Sequence, residues 1–149
     1  MREILSVLMS HHQPKTVIID TNIWISSIIE DEQRHFESVR NIGVYEKQNY
    51  IIYIPELIIF EIISVMRREN YPRQIIRNFI DRLLCNIKYK IICLDFDEIC
   101  RLGIDYPDKI SLKANDYQFF LYCVKFKPDK IETYDKQLIK HLNAKNKRK

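Results

Sequence analysis

Four carboxylates stand where a parallel α/β sheet would gather them at one edge. Asp20 ends a short apolar run, and Asp135 closely follows another. Glu61 lies about two turns into a helical segment, and Asp116 lies near the start of a further one. Neighbouring carboxylates repel each other unless a cation compensates their charge. Oxygen ligands favour Mg²⁺ or Mn²⁺, which can activate water for phosphodiester hydrolysis.

Each of these acids also has a purely structural interpretation. Asp20, Asp116 and Asp135 could each cap a helix or favour its first turn. Glu61 is the most informative, because its neighbours are nearly all apolar and an uncompensated charge there is costly. It could instead reach the surface or pair with an arginine such as Arg67 or Arg68. The functional interpretation therefore depends on all four acids acting together.

The elements that must position these acids alternate between strands and helices. Short runs rich in β-branched residues predict strands at residues 16–20, 50–54, 89–94 and 130–133. Helices are predicted at residues 23–30, 32–49, 56–70, 72–86, 97–103, 112–127 and 136–143. Thr21 or Asn22 could cap the helix at residues 23–30, and Asp97 could cap the helix that ends near residue 103. The helix at residues 56–70 is apolar nearly all round, which predicts deep packing. This order predicts an α/β fold with a parallel sheet covered on both faces and a site at the carboxyl ends of its strands.

Length and composition narrow the class of protein. The 149 residues fit one domain, and no apolar run reaches the length of a membrane span. The N-terminus offers neither the apolar run nor the cleavage site of a secretion signal. The cysteines form no zinc-binding pattern, and their apolar neighbours predict reduced core residues of a cytoplasmic protein. They are Cys85, Cys93, Cys100 and Cys123.

Positive charge is concentrated at the C-terminal end. Residues 125–149 hold nine Lys or Arg and three Asp or Glu, whereas the preceding chain is slightly acidic. This asymmetry predicts contact with a polyanion, although a solubilising tail explains residues 143–149 equally well. The candidate nucleic-acid contacts are Lys136, Lys140, Lys145, Lys147, Arg148 and Lys149.

Several other chemistries lack their sequence signatures. There is no phosphate-binding P-loop, no glycine-rich dinucleotide motif and no serine nucleophile elbow. A phosphatase of the haloacid-dehalogenase type needs a second Asp two residues after the first, where this chain has Asn22. Asp95 could mimic the phosphorylated Asp of a receiver domain, but the remaining pattern is absent. The four histidines lie in polar segments, which disfavours a metal-free ribonuclease.

The ordered set of four acidic motifs resembles the PIN-domain nucleases. Residues 17–22 (VIIDTN) are similar to the family's first motif, and residues 53–62 (YIPELIIFEI) to its second. Residues 112–120 (LKANDYQFF) resemble the third motif and residues 131–138 (IETYDKQL) the fourth. No motif is specific alone, but their order and spacing match the family over about residues 16–142.

The resemblance implies a three-layer α/β/α fold with a central parallel sheet of four or five strands. It implies that Asp20, Glu61, Asp116 and Asp135 surround Mg²⁺ or Mn²⁺, and that Asn22 and Thr133 orient ligands or water. The expected domain covers residues 15–142, preceded by a helical extension at residues 1–14 and followed by a basic tail at residues 143–149. The expected reaction is endonucleolytic RNA cleavage by metal-activated water, leaving a 5′-phosphate and a 3′-hydroxyl.

Small single-domain PIN proteins resemble the VapC toxins of type II toxin–antitoxin pairs. That resemblance implies a homodimer held inactive by an antitoxin protein. A housekeeping PIN nuclease in RNA processing or decay is the alternative. A third interpretation is a non-catalytic PIN module that binds RNA or protein, but a scaffold has no reason to keep four repelling acids.

Overall fold

The computed structural model describes residues 14–105 and 112–146 of the chain. The predicted N-terminal helix therefore lies almost wholly outside the described residues, as do the last three residues of the predicted tail.

Four strands form one sheet in the described part of the chain. They are β1 (Lys15–Ile19), β2 (Tyr50–Pro55), β3 (Tyr89–Ile92) and β4 (Lys130–Glu132). Their order is β3-β2-β1-β4 and every pairing is parallel. Val17, Ile18 and Ile19 are all buried, as expected for a strand covered on both faces. The predicted α/β fold with a parallel sheet is confirmed, with four strands among the described residues.

Seven helices flank this sheet in the described residues. They are α1 (Thr21–Ile28), α2 (His35–Lys47), α3 (Glu56–Arg68), α4 (Arg73–Cys85), α5 (Phe96–Asp105), α6 (Ala114–Phe126) and α7 (Lys136–Asn146). Pro55 and Pro72 stand immediately before α3 and α4, where proline does not remove a helical hydrogen bond. α7 continues three residues past its predicted end, so the first residues of the predicted tail are helical. None of the described helices combines the length and apolarity that crossing a membrane requires.

Two predicted helix caps are wrong. α1 is capped by Asp20, whose side chain accepts from the backbone N–H of Thr21, so neither Thr21 nor Asn22 is the cap. α5 is opened by Asp95 instead of Asp97. Its carboxylate accepts from the Glu98 N–H at 2.7 Å, and the Glu98 side chain accepts from the Asp95 N–H at 3.3 Å. This reciprocal pair satisfies two free donors at the helix start, which a lone Asp97 would not do.

α3 is buried on one face, not all round. Its inward face carries Ile58, Ile62 and Met66, while Phe60 is 70% exposed. Its remaining apolar residues are only partly buried, so the local composition overestimated the burial of this helix.

Three of the four cysteines are not core residues. Cys123 is buried, but Cys85, Cys93 and Cys100 are exposed. Cys85 closes α4, Cys93 follows the end of β3, and Cys100 lies on α5, which has no fully buried residue. Apolar neighbours in sequence do not determine which face of an element a residue occupies, and the core prediction fails for that reason.

The strand order changes direction beside β1. The chain progresses from β1 through β2 to β3 and then crosses back to place β4 on the other side of β1. Such a switch opens a crevice at the carboxyl ends of the two strands, because their following helices diverge. The end of β1 and the end of β4 are therefore where this fold leaves room for a ligand.

Candidate active site

One open cavity of about 710 Å³ lies at this switch point. All four predicted acids contribute to its wall: Asp20, Glu61, Asp116 and Asp135. They come from four separated parts of the chain, namely the end of β1, the middle of α3, the first turn of α6 and the segment between β4 and α7. The fold thus brings the predicted acids to a common cavity.

Asp20 is the most constrained of the four acids. The β1–β4 ladder continues through it, since its N–H donates to the Glu132 carbonyl at 2.9 Å. Its Oδ1 accepts from the Thr21 N–H at 2.7 Å, and its Oδ2 accepts from Asn22 Nδ2 at 2.8 Å and Thr133 Oγ1 at 2.6 Å. The side chain is therefore fixed in both position and rotation.

Asn22 and Thr133 form the connection between the ends of β1 and β4. The Thr133 hydroxyl donates to Asp20 and accepts from the Asp135 N–H at 3.0 Å, so one hydroxyl joins two acids. Asn22 donates to Asp20, and its Oδ1 accepts from the Tyr134 N–H at 3.5 Å. We refer to Asp20, Asn22, Thr133 and Asp135 as the strand-end half of the site.

Asp135 has a structural task as well as a place in the cavity. Its Oδ1 accepts from the N–H groups of Gln137 and Leu138 at 2.7 and 3.0 Å, which caps α7. A capping carboxylate keeps its second oxygen free for other contacts. The structural and functional interpretations of this residue are therefore compatible.

The Glu61 carboxylate accepts hydrogen bonds from two uncharged side chains and, among the described residues, pairs with no arginine. Thr21 Oγ1 donates to one carboxylate oxygen and Asn115 Nδ2 to the other. Neither donor was identified as a site residue from the sequence. Thr21 and Asn115 each adjoin an acid in the chain, but adjacency gives no indication of which side chain they contact. We refer to Glu61, Asn115 and Asp116 as the helix half of the site.

Asp116 stands in the first turn of α6, and its side chain makes no hydrogen bond with any described residue. Burial raises the pKa of its carboxyl, and the charge of Asp135 raises it further, whereas nearby Lys113 lowers it. Lys113 is the one basic side chain that the described residues contribute to the cavity wall.

Burial also raises the pKa of Asp20, to about 6. Hydrogen bonds from Thr133 and Thr21 oppose that rise, and the charges of Asp116 and Glu61 add to it. Because Asp20 is only 8% exposed, loss of hydration dominates. A raised carboxyl pKa in a cleft is typical of a functional site.

The donor set of the cavity fits a hard divalent cation. Its wall offers four carboxylates and neither histidine nor cysteine, the ligand chemistry of Mg²⁺ or Mn²⁺. Within residues 14–105 and 112–146, however, no three acidic, histidine or cysteine side chains are spaced to hold one ion together. In this arrangement the acids share a cavity without converging on one point.

Two of the predicted basic contacts have side chains that the structure describes, and neither lines the cavity. Lys136 and Lys140 are exposed on α7. The side chain of Lys145 and residues 147–149, which include the remaining predicted contacts Lys147, Arg148 and Lys149, lie outside what the structure describes.

The fold and its acid-lined crevice define a recognisable class of α/β protein. The family model of the PIN domain matches residues 17–144, and the chain belongs to that family. Among solved structures, the chain is similar to VapC20 of Mycobacterium tuberculosis, described as a toxin that cleaves the sarcin–ricin loop. The two share 13% sequence identity with a TM-score of 0.66, over 84% of this chain and 94% of VapC20. At this identity the likeness is one of fold. No curated protein matches the chain significantly.

Proposed function

We propose that this protein is a metal-dependent endoribonuclease that leaves a 5′-phosphate and a 3′-hydroxyl. The observation that carries the proposal is the cavity at the β1–β4 switch point, where four acids from separate elements form one wall. Membership of the PIN domain family supports it. Four acids that share one crevice repel each other, and Asp20 is buried as well, so the arrangement favours a role with a cation over a structural one.

In this proposal, Asp20, Glu61, Asp116 and Asp135 hold Mg²⁺ or Mn²⁺. When bound, such a cation lowers the pKa of water and stabilises the charge that develops during phosphodiester hydrolysis.

The chain's own contribution is orientation and charge. Thr133 and Asn22 fix the Asp20 carboxylate, and Thr133 also holds the backbone of Asp135. Asp20 carries a proton below pH about 6, and a cation must displace that proton to bind. Lys113 in the wall and exposed Lys136 on α7 offer positive charge to the phosphates of a substrate.

The test is cleavage of a labelled pool of single-stranded RNA with Mn²⁺, Mg²⁺ or EDTA. We expect the wild type to cut, EDTA to abolish cutting, and the products to carry 5′-phosphates. Asp116→Asn keeps the shape of the side chain but removes a charge, so it should lower the rate at least about 100-fold. Asp81→Asn, on the exposed side of α4, is the matched control and should cut normally. Cutting that survives EDTA, or equal rates for both variants, would refute the assignment.

We further propose that the protein acts in the cytoplasm as the toxin of a type II toxin–antitoxin pair, as a homodimer inhibited by a partner protein. The fold likeness to VapC20 supports this role. Induction of the wild type in a bacterial host should arrest growth, whereas Asp116→Asn should not. RNA cleavage without growth arrest would instead indicate a housekeeping PIN nuclease, and RNA binding without cleavage a non-catalytic module.

A further inference from the structure

The Glu61 carboxylate is held from both sides of the cavity. Thr21, in the first turn of α1, donates to Oε2, and Asn115, in the first turn of α6, donates to Oε1. Glu61 itself lies on α3. Three helices that are distant in sequence therefore meet at one carboxylate.

Both donors are sequence neighbours of another acid in the site. Thr21 follows Asp20 and donates its N–H to that carboxylate at 2.7 Å. Asn115 immediately precedes Asp116 in the same helical turn. Glu61 is thus connected through Thr21 to the strand-end half and through Asn115 to the position of Asp116. A shift in Asn115 would change the spacing between Glu61 and Asp116.

The chemistry of the two donors is also informative. A hydroxyl and an amide donate hydrogen bonds to the carboxylate oxygens but carry no charge. An arginine would donate hydrogen bonds and also bring a positive charge. In the part of the chain that the structure describes, neither Arg67 nor Arg68 pairs with Glu61; Arg68 pairs with Glu69. Glu61 therefore has hydrogen-bond partners that restrict its orientation but no cationic partner among the described residues.

We propose that Asn115 is a positioning residue that presents Glu61 to the cation. This inference rests on the proposed function, because it concerns the same metal site. Asn115 does not bind the cation itself; it restricts the rotation of Glu61 and so reduces the ordering that cation binding would otherwise require. Groups that orient metal ligands commonly change metal affinity by about 10- to 100-fold when removed.

The experiment measures Mn²⁺ affinity by calorimetry in the absence of RNA. We expect Asn115→Ala to weaken Mn²⁺ binding at least about 10-fold. Asn115→Gln retains an amide donor and should recover part of that loss. Asn78→Ala, an exposed asparagine on α4, is the matched control and should bind Mn²⁺ like the wild type.

A second measurement examines the contact without metal. In nuclear magnetic resonance spectra of the metal-free protein, the Asn115 side-chain amide protons should be shifted from the values of a solvated asparagine, and Glu61→Ala should remove that shift. Wild-type Mn²⁺ affinity in Asn115→Ala, with RNA still cut, would overturn this inference and leave the proposed function intact. Absence of Mn²⁺ binding by the wild type would overturn the metal site and the positioning role together, even if the amide protons showed the expected shift.

Discussion

The two halves of the site are built in different ways. In the strand-end half, Asp20 accepts three hydrogen bonds and is nearly buried, and Thr133 joins it to Asp135. In the helix half, the Glu61 carboxylate accepts two hydrogen bonds from side chains. The Asp116 carboxylate accepts none from the described residues.

The difference follows from what fixes each half. A backbone ladder runs into the strand-end half, since Asp20 donates to the Glu132 carbonyl. The helix half depends on how α3 and α6 pack against the sheet, and Glu61 is held there by side-chain hydrogen bonds alone. The comparison indicates that the strand-end half is built into the hydrogen-bonded framework of the fold and that the helix half contributes mainly charge.

The largest expected effect on stability concerns the pKa of Asp20. It is raised to about 6 in the folded protein, against 3.8 as its ordinary value. The folded state therefore binds more protons between these values, and its stability falls as pH rises through about 6. The loss for the metal-free protein is up to roughly 3 kcal/mol between pH 3 and pH 7.

Urea unfolding in EDTA at several pH values measures this loss. Asp20→Asn, which retains a good helix cap, should remove most of that pH dependence, whereas Asp81→Asn should keep it. Saturating Mg²⁺ should raise the stability of the wild type near neutral pH, because the cation binds the ionised form. An unchanged pH dependence in Asp20→Asn would contradict the assigned pKa.

The next effect compares two isosteric threonine substitutions. Thr133→Val leaves the buried Asp20 oxygen and the Asp135 N–H without their hydroxyl partner and should cost about 1–3 kcal/mol of unfolding free energy. Thr21→Val removes one contact to the partly exposed Glu61 and should cost less, about 0.5–1 kcal/mol. Urea midpoints for the two variants measure the difference. Equal losses of unfolding free energy would show that the threonine hydrogen bonds of the two halves contribute equally to stability.

The smallest effect concerns substrate charge at the helix half. Lys113→Ala removes the positive charge beside Asp116, so the slope of log affinity against log salt for single-stranded RNA should decrease by about 0.7. Binding is measured in the Asp116→Asn background so that the RNA stays uncut. Lys47→Ala is the control, because Lys47 ends α2 near the amino end of β2, away from the cavity. An identical salt dependence of RNA affinity in both variants would show that Lys113 does not contact the RNA phosphates.

Sequence patterns predicted the strand-end half more completely than the helix half. Asp20 ends the buried β-branched run of β1, and the resemblance to the PIN-domain nucleases indicated Asn22 and Thr133 as residues that orient ligands or water. Asn115 gave no comparable signal, because its contact with Glu61 crosses between helices 54 residues apart. The exposed cysteines and the exposed Phe60 were missed for a related reason, since apolar neighbours do not reveal which face is covered.

The sequence by itself determined the alternation of strands and helices, the parallel sheet and the four acids, because strand burial and helix starts are encoded in local residue types. The tertiary structure decided that β4 lies beside β1, that Glu61 is held by Thr21 and Asn115, and that burial raises the pKa of Asp20. These properties arise only when distant segments come together, since desolvation and side-chain hydrogen bonds depend on neighbours in space and not in sequence.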